Sequence, residues 1–408
     1  MKVIDSPLPD TCERPGADAL IEEARRRQRR RQWSIGALLA VGLAGGLTLG
    51  LGGASRRLPP SKARPLAVRP VGVTTYAWKQ ILTPVAPSFR GGAPMAYDWA
   101  TGQLVLIGGY RIVQPSPVSF VDTEAILNDT WVFAKGSWHQ IHPRVSPPRD
   151  GGAGATGFDP TRHTDLMAYD PTRRDIILVT PPEFRSGTTH LLRGSTTWGW
   201  TGTQWSKLLS TGPVWGSIQQ GELVFDPRTL QLVFTPSDGG STWILGRSGW
   251  LRGAHAPSPL YTMAYDPLTR RLIGSSALAM WWWDGHRWNE YRNLPVVSDL
   301  PITDAVIGAP TGVSATDNAT REIVVLGGYL GGPVPFAHPA HIFTWLSGAW
   351  RPIRTKIDPA PNNPGGFSFA YDGALQAMVA FGGDGGERTK SGAWVSGGNQ
   401  TWVLTNVG

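Results

Sequence analysis

From residue 76 onward the chain repeats one pattern of apolar and polar positions. An apolar run closes on an aspartate, a short polar turn follows, and a second apolar run comes next. The aspartate-bearing runs are Met95-Ala-Tyr-Asp98, Met167-Ala-Tyr-Asp170, Leu223-Val-Phe-Asp226, Met263-Ala-Tyr-Asp266, Val313-Ser-Ala-Thr-Asp317 and Phe369-Ala-Tyr-Asp372. Ten residues past each aspartate lies the same point of the pattern, at Gly108, Thr180, Pro236, Ser276, Gly327 and Gly382. At three of these it opens a glycine pair: Gly108-Gly109, Gly327-Gly328 and Gly382-Gly383. Aliphatic and β-branched stretches on either side of turns such as Asp-Pro-Thr-Arg or Trp-Ala-Thr-Gly predict strand, tight turn, strand.

A second interval, of seven residues, follows in each copy: Trp131 and Trp138, Trp198 and Trp205, Trp243 and Trp250, Trp281 and Trp288, Phe343 and Trp350. A turn glycine lies between the members of each pair (Gly136, Gly202, Gly249 or Gly246, Gly285, Gly348), which predicts a second hairpin with one large aromatic per strand. Each copy thus supplies four strands, the content of a propeller blade. The aromatics are expected to fill the space between blades. The sixth copy reaches its third strand at Trp402 and ends at Gly408, one strand short. Residues 75–82, around Trp78, look like a fourth strand with no first three. Pairing the two ends would close a ring and leave no open sheet edge. The expectation is an all-β, six-bladed β-propeller over residues 76–408, closed by an N-terminal strand; a seventh blade would need an unrecognised copy near 151–166.

Apolar-Tyr-Asp, then Gly-Gly, then Asn128-Asp-Thr-Trp131, then Gly-x-Trp138, resembles the kelch repeat of bacterial kelch and galactose-oxidase-like propellers. The resemblance spans 76–408 and is strongest in the first, second and sixth copies. The third and fourth copies lack the glycine pair, and the fourth carries Trp281-Trp282-Trp283. It implies a kelch-type fold and is almost silent about activity. A copper-radical oxidase of the galactose-oxidase type would need a cysteine joined to a tyrosine beside the metal. The only cysteine, Cys12, lies far outside the repeats, so that chemistry is excluded from this domain.

Ahead of the repeats, residues 33–53 are uncharged for 21 positions, the length of a transmembrane helix. Arg25, Arg26, Arg27, Arg29, Arg30 and Arg31 precede them and favour a cytoplasmic N-terminus. The reading is a basic cytoplasmic segment at 1–32, a single-pass helix at 33–53 that partners the lipid bilayer, and a proline-rich basic stalk at 54–75. The propeller then lies outside the cytoplasm at the cell membrane. A cleaved signal peptide is the alternative, with Gly52 and Ala54 as small residues at the cleavage site; the propeller would then be secreted. Gly42, Gly46 and Gly50 share one helix face and could support a dimer.

Charge sharpens this division. Residues 1–75 hold 13 basic and 6 acidic side chains, whereas 76–408 hold 25 and 24. Seven of the eight net positive charges therefore lie in residues 1–75, and a broad basic surface for nucleic acid is not expected on the nearly neutral propeller. One cysteine leaves neither a disulfide framework nor a cysteine zinc site.

Strands in a blade alternate direction, so the first and third connections open on one face of the ring, and the second connections and inter-blade links on the other. The first and third are constant in length. From aspartate to third-strand aromatic, however, the six copies run 33, 28, 17, 15, 26 and 30 residues. Length variation falls on one face, with the long connections on blades five, six, one and two, where function is expected. Candidate ligand contacts there are Tyr110, Arg111, Arg149, Arg185, His190, Trp215, Tyr329, His338 and His341, since aromatic faces stack on sugars and guanidinium forks grip carboxylates. No catalytic set, metal site or cofactor is expected: His139 and His142, like His338 and His341, are three apart, which on a strand points to opposite faces. Asn128, Asn318 and Asn399 fit N-x-Thr, but the basic leader looks bacterial and no glycans are expected on them. The leading reading is a tethered binding module for cell-envelope carbohydrate or protein. The alternatives are a glycan-active hydrolase or lyase using the same face, and a non-catalytic scaffold for membrane partners.

Overall fold

The computed structural model describes residues 75–114, 123–148, 165–184, 191–215, 221–236, 239–260, 262–276, 279–291, 312–327, 341–346, 348–353, 367–382, 387–388, 394–395 and 399–407. The chain divides into two units, Met1–Arg69 and Pro70–Gly408, and every described residue belongs to the second. The basic leader, the segment 33–53 expected to cross the membrane with its glycine face, and the expected stalk lie outside the described residues. Among those described there is no helix, hence none long and apolar enough to cross a membrane.

β1 (Tyr76–Ile81) opens the domain. Blade one follows as β2 (Met95–Asp98), β3 (Gln103–Ile107), the inserted pair β4 (Tyr110–Gln114) and β5 (Thr123–Ile126), then β6 (Thr130–Ala134) and β7 (Ser137–Ile141). Blade two is β8 (Leu166–Asp170), β9 (Asp175–Thr180), the inserted pair β10 (Glu183–Phe184) and β11 (Leu191–Arg193), then β12 (Thr196–Trp200) and β13 (Trp205–Leu209). Blade three comprises β14 (Gly221–Asp226), β15 (Gln231–Pro236), β16 (Ser241–Leu245) and β17 (Trp250–His255). Blade four comprises β18 (Thr262–Asp266), β19 (Arg271–Ser275), β20 (Met280–Trp283) and β21 (Trp288–Glu290). In blade five come β22 (Val313–Asp317), β23 (Glu322–Gly327), β24 (His341–Leu346) and β25 (Ala349–Ile353). Blade six has β26 (Phe367–Asp372), β27 (Ala377–Gly382), the inserted pair β28 (Glu387–Arg388) and β29 (Trp394–Val395), and β30 (Thr401–Asn406).

These strands form six four-stranded antiparallel sheets, and the inserted pairs form three two-stranded ones. The sixth blade takes its outer strand from the other end of the domain: β1 lies antiparallel to β30, from Tyr76 opposite Asn406 to Ile81 opposite Thr401. The innermost strands touch in the cycle β2, β8, β14, β18, β22, β26 and back to β2. Among the described residues the ring is closed with six blades; residues 151–164, where a seventh copy would have to lie, are outside them.

The core is distributed, one hydrophobic cluster to each of the six blade interfaces. Successive side chains of a strand point to opposite faces of its sheet, so each blade packs on both neighbours. Met95 and Tyr97 join the cluster shared with blade six, while Ala96 joins the one shared with blade two. Fourth-strand tryptophans span these interfaces. The indole N–H of Trp138 donates to Thr401 Oγ1 at 2.8 Å, Trp205 to Thr130 at 3.0 Å, Trp250 to Thr197 and Trp288 to Thr242 at 2.8 Å. In each case the acceptor is the threonine just before the preceding blade's third-strand aromatic. For Trp350 of blade five the corresponding residue of blade four is a methionine, and the indole N–H meets Met280 Sδ at 3.2 Å. The two aromatics of an interval do not pair across the sheet: Trp138 faces Phe133 and Trp205 faces Trp200, two residues beyond the third-strand aromatic.

Candidate functional site

The two faces of the ring are built differently. At the aspartate end of every innermost strand the carboxylate is buried and caps its own turn. Asp98, for example, accepts the Ala100 N–H at 2.9 Å and the Thr101 hydroxyl at 2.7 Å, and Asp372 accepts N–H groups of Ala374 and Leu375. Four residues on, the backbone turns left-handed at Gly102, Arg174, Leu230, Arg270, Arg321 and Gln376, and the chain re-enters the sheet. The carboxylates are occupied by structure. They also push up the phenols leaning on them: burial first, then Asp372 of the preceding blade, raises Tyr97, and Asp317 does the same to Tyr371.

Among the described residues the other face carries three inserted pairs, on blades six, one and two, which are consecutive around the ring. Of these, β4/β5 is clamped at its base by backbone bonds between Gly91 and Tyr110 (2.8 and 2.9 Å) and by a fully buried Arg90. All five guanidinium hydrogens have acceptors. Nε donates to Ser88 O, Nη1 to Gly108 O (2.9 Å) and Asp129 Oδ1 (2.6 Å), and Nη2 to Ser88 Oγ and Asp129 Oδ2 (2.8 Å). Asp129 also accepts the Trp131 indole N–H at 2.6 Å. Burial works against its charge, but Arg90 and Trp131 outweigh that and hold the carboxyl below its ordinary range. The glycine pair is explained by the same clamp: a Cβ on Gly109 would stand 2.6 Å from Gly91 O, and one on Gly382 2.5 Å from Arg90 O.

Of the residues expected to contact ligand, Tyr110 opens β4 and Arg111 follows it on the same strand, while His341 opens β24 opposite Gly327. Trp215 is placed in the core instead. It is 6 % exposed, its ring edge-on to Phe234 at 4.8 Å, because the link into blade three needs a large side chain to fill the interface with blade two. Arg149, Arg185, His190, Tyr329 and His338 lie outside the described residues. The described positions therefore do not bring the candidates together beyond one hairpin.

Sequence reading missed two groups on this face. Glu222 is the second residue of β14, opposite Thr235, and is half-buried. Among the described residues no hydrogen bond or ion pair reaches its carboxyl, and Thr235 Oγ1 beside it is buried without a partner. Desolvation alone pushes the carboxyl up to about 8, so it holds its proton at neutral pH. A glutamate where the other five blades have Pro94, Leu166, Thr262, Val313 and Ser368 was the available signal. The second group is Ser241, whose Oγ accepts Arg252 Nε at 2.8 Å and lies 3.3 Å from His255 Nε2. No acid orients the imidazole among the described residues, so a nucleophilic triad is not assembled there.

No sequence profile of a known family matches the chain, and no curated protein matches it in sequence. Solved structures do resemble it in architecture. Inactivated virginiamycin B lyase from Staphylococcus aureus, crystallised with quinupristin, is 10 % identical, with a TM-score of 0.41 over 81 % of this chain and 100 % of that one. A luciferin-regenerating enzyme is 10 % identical, with a TM-score of 0.43 over 82 % and 96 %. The PQQ-bound aldose sugar dehydrogenase of Streptomyces coelicolor is 12 % identical, with a TM-score of 0.42 over 81 % and 99 %. At such identities and scores the likeness carries no family, ligand or reaction to this chain.

Proposed function

We propose that this chain is a membrane-tethered, extracytoplasmic kelch-type propeller that binds cell-envelope carbohydrate or protein through the face bearing the inserted hairpins. The observation that carries the reading is the grouping of β4/β5, β10/β11 and β28/β29 on three consecutive blades, against a uniformly short, self-capped opposite face. Extra chain on one sector of a rigid ring is how propellers vary recognition without altering their core. The tether rests on the uncharged segment 33–53 and its arginine flank.

The test is replacement of residues 111–125 by a short Gly/Ser turn in the full-length protein, with binding read on a glycan array and on envelope extracts. The variant should melt within a few degrees of the parent and lose binding at least tenfold. Unchanged binding would place recognition elsewhere. A second reading, a glycan-active hydrolase or lyase on the same face, is favoured by Glu222, a carboxylic acid protonated at neutral pH. Product formation that vanishes in Glu222→Gln would select it over the binding module.

A further inference from the structure

On the opposite face, between blades three and four, lies an open cleft of about 530 Å³ lined by Arg228, Thr269, Arg270, Arg271 and Trp282. The fold supplies five internal comparisons for it, because each interface places the second residue after one aspartate beside the fourth and fifth residues after the next. At the interface of blades one and two these are Ala100, Arg174 and Asp175; at blades four and five, Leu268, Arg321 and Glu322. In both, a carboxylate directly follows the arginine. The two-to-three, five-to-six and six-to-one interfaces carry Thr172, Leu230 and Gln231, then Ala319, Gln376 and Ala377, then Ala374, Gly102 and Gln103, with no cation. Blades three and four alone bring three arginines together with no acid at these positions.

The nearby carboxylates are committed elsewhere. Asp226 caps its turn through the Arg228 N–H and the Thr229 hydroxyl and lies 3.9 Å from Arg228 Nη2, at the limit of an ion pair. Asp266 accepts from the Leu268 N–H, the Thr269 hydroxyl and the Trp345 indole. Asp284 accepts from Arg287, His286 and Asn289. Trp282 does not serve as a sugar platform, since the Arg271 guanidinium lies over its ring at 3.9 Å. The stacking instead fixes the plane of that guanidinium and leaves its N–H edge free to meet an oxyanion.

From this we infer that the cleft binds a small oxyanion-bearing ligand, carboxylate or phosphate, of mono- to disaccharide size. Arg228 and Arg271 grip the anion from opposite blades, and Arg270 supplies charge between them. Bidentate guanidinium contacts match either oxyanion, and the volume falls within the range of small-molecule sites.

The experiment is calorimetric titration of the full-length protein at low salt with digalacturonate, citrate and inorganic phosphate. A dissociation constant below about 1 mM is expected for at least one probe. Preference for digalacturonate would identify an acidic sugar, and preference for phosphate a phosphorylated ligand. Arg228→Ala and Arg271→Ala should each weaken binding tenfold or more, while Arg321→Ala, at the charge-balanced interface, should not. Melting curves confirm that each variant is folded, and Arg271→Lys, which keeps the charge but loses the fork, should recover only part of the affinity. Saturation by none of the probes, or equal loss in Arg321→Ala, would overturn the inference.

Discussion

A guanidinium with no solvent contact is tolerable at position 90 because each of its five hydrogens meets an acceptor. Removing it strands a largely shielded Asp129 and the Gly108 carbonyl, so Arg90→Met should lower stability by about 3 kcal/mol in urea unfolding; a cost under about 1 kcal/mol would mean the clamp is ornamental. Glu222 makes the opposite forecast. Its carboxyl titrates near 8 in the folded chain and near an ordinary glutamate value in the unfolded one, so the folded state holds the extra proton between those limits. Stability from this group is therefore intact in acid and is lost as pH climbs through 8. Glu222→Gln should be neutral at pH 4.5 and stabilising by about 1 kcal/mol or more at pH 9, and a pH-independent difference would contradict the assignment. At this scale the repeat aspartates were legible in sequence, because a turn cap acts within three residues. Arg90 was not, because its partner lies 39 positions away, and Glu222 announced itself only as an exception to an aligned column.

The unit of construction is the hairpin with its tryptophan. The seven-residue interval was readable because Lys135-Gly136 and its counterparts turn sharply at left-handed glycines. The register within it was not, since spacing alone does not say that Trp138 opposes Phe133 rather than Trp131. The inserted pairs also escaped notice: Glu183–Phe184 and Trp394–Val395 are two residues long, too short to show alternation. The indole-to-threonine bonds offer a graded test by thermal denaturation. Trp138→Phe, Trp205→Phe and Trp288→Phe keep the packing surface but lose a buried hydrogen bond, and each should cost about 1–2 kcal/mol. Trp350→Phe should cost measurably less, because a thioether is a weak acceptor. Equal losses across the four would show that shape, not the N–H, fixes the interfaces.

For the molecule as a whole, stability is a property of the ring, since each of the six hydrophobic clusters among the described residues joins two neighbouring blades. Every blade therefore depends on closure. The incomplete sixth copy and the lone strand around Trp78 made the closing pair legible in sequence, and Tyr76 reinforces it from within, its hydroxyl 3.2 Å from both Asp317 and Glu322 of blade five. Closure also gives the account its functional asymmetry, because only a sealed ring keeps the hairpin-bearing sector and the arginine cleft on fixed, opposite faces. The decisive measurement joins the ends chemically. With Cys12 replaced by serine, cysteines at Ala77 and Thr405, which face each other across β1 and β30, should react with a short bifunctional thiol linker. The product should be an intramolecular cross-link in the monomer and a higher melting temperature. Failure to cross-link, or linkage only between molecules, would contradict the closed six-bladed ring.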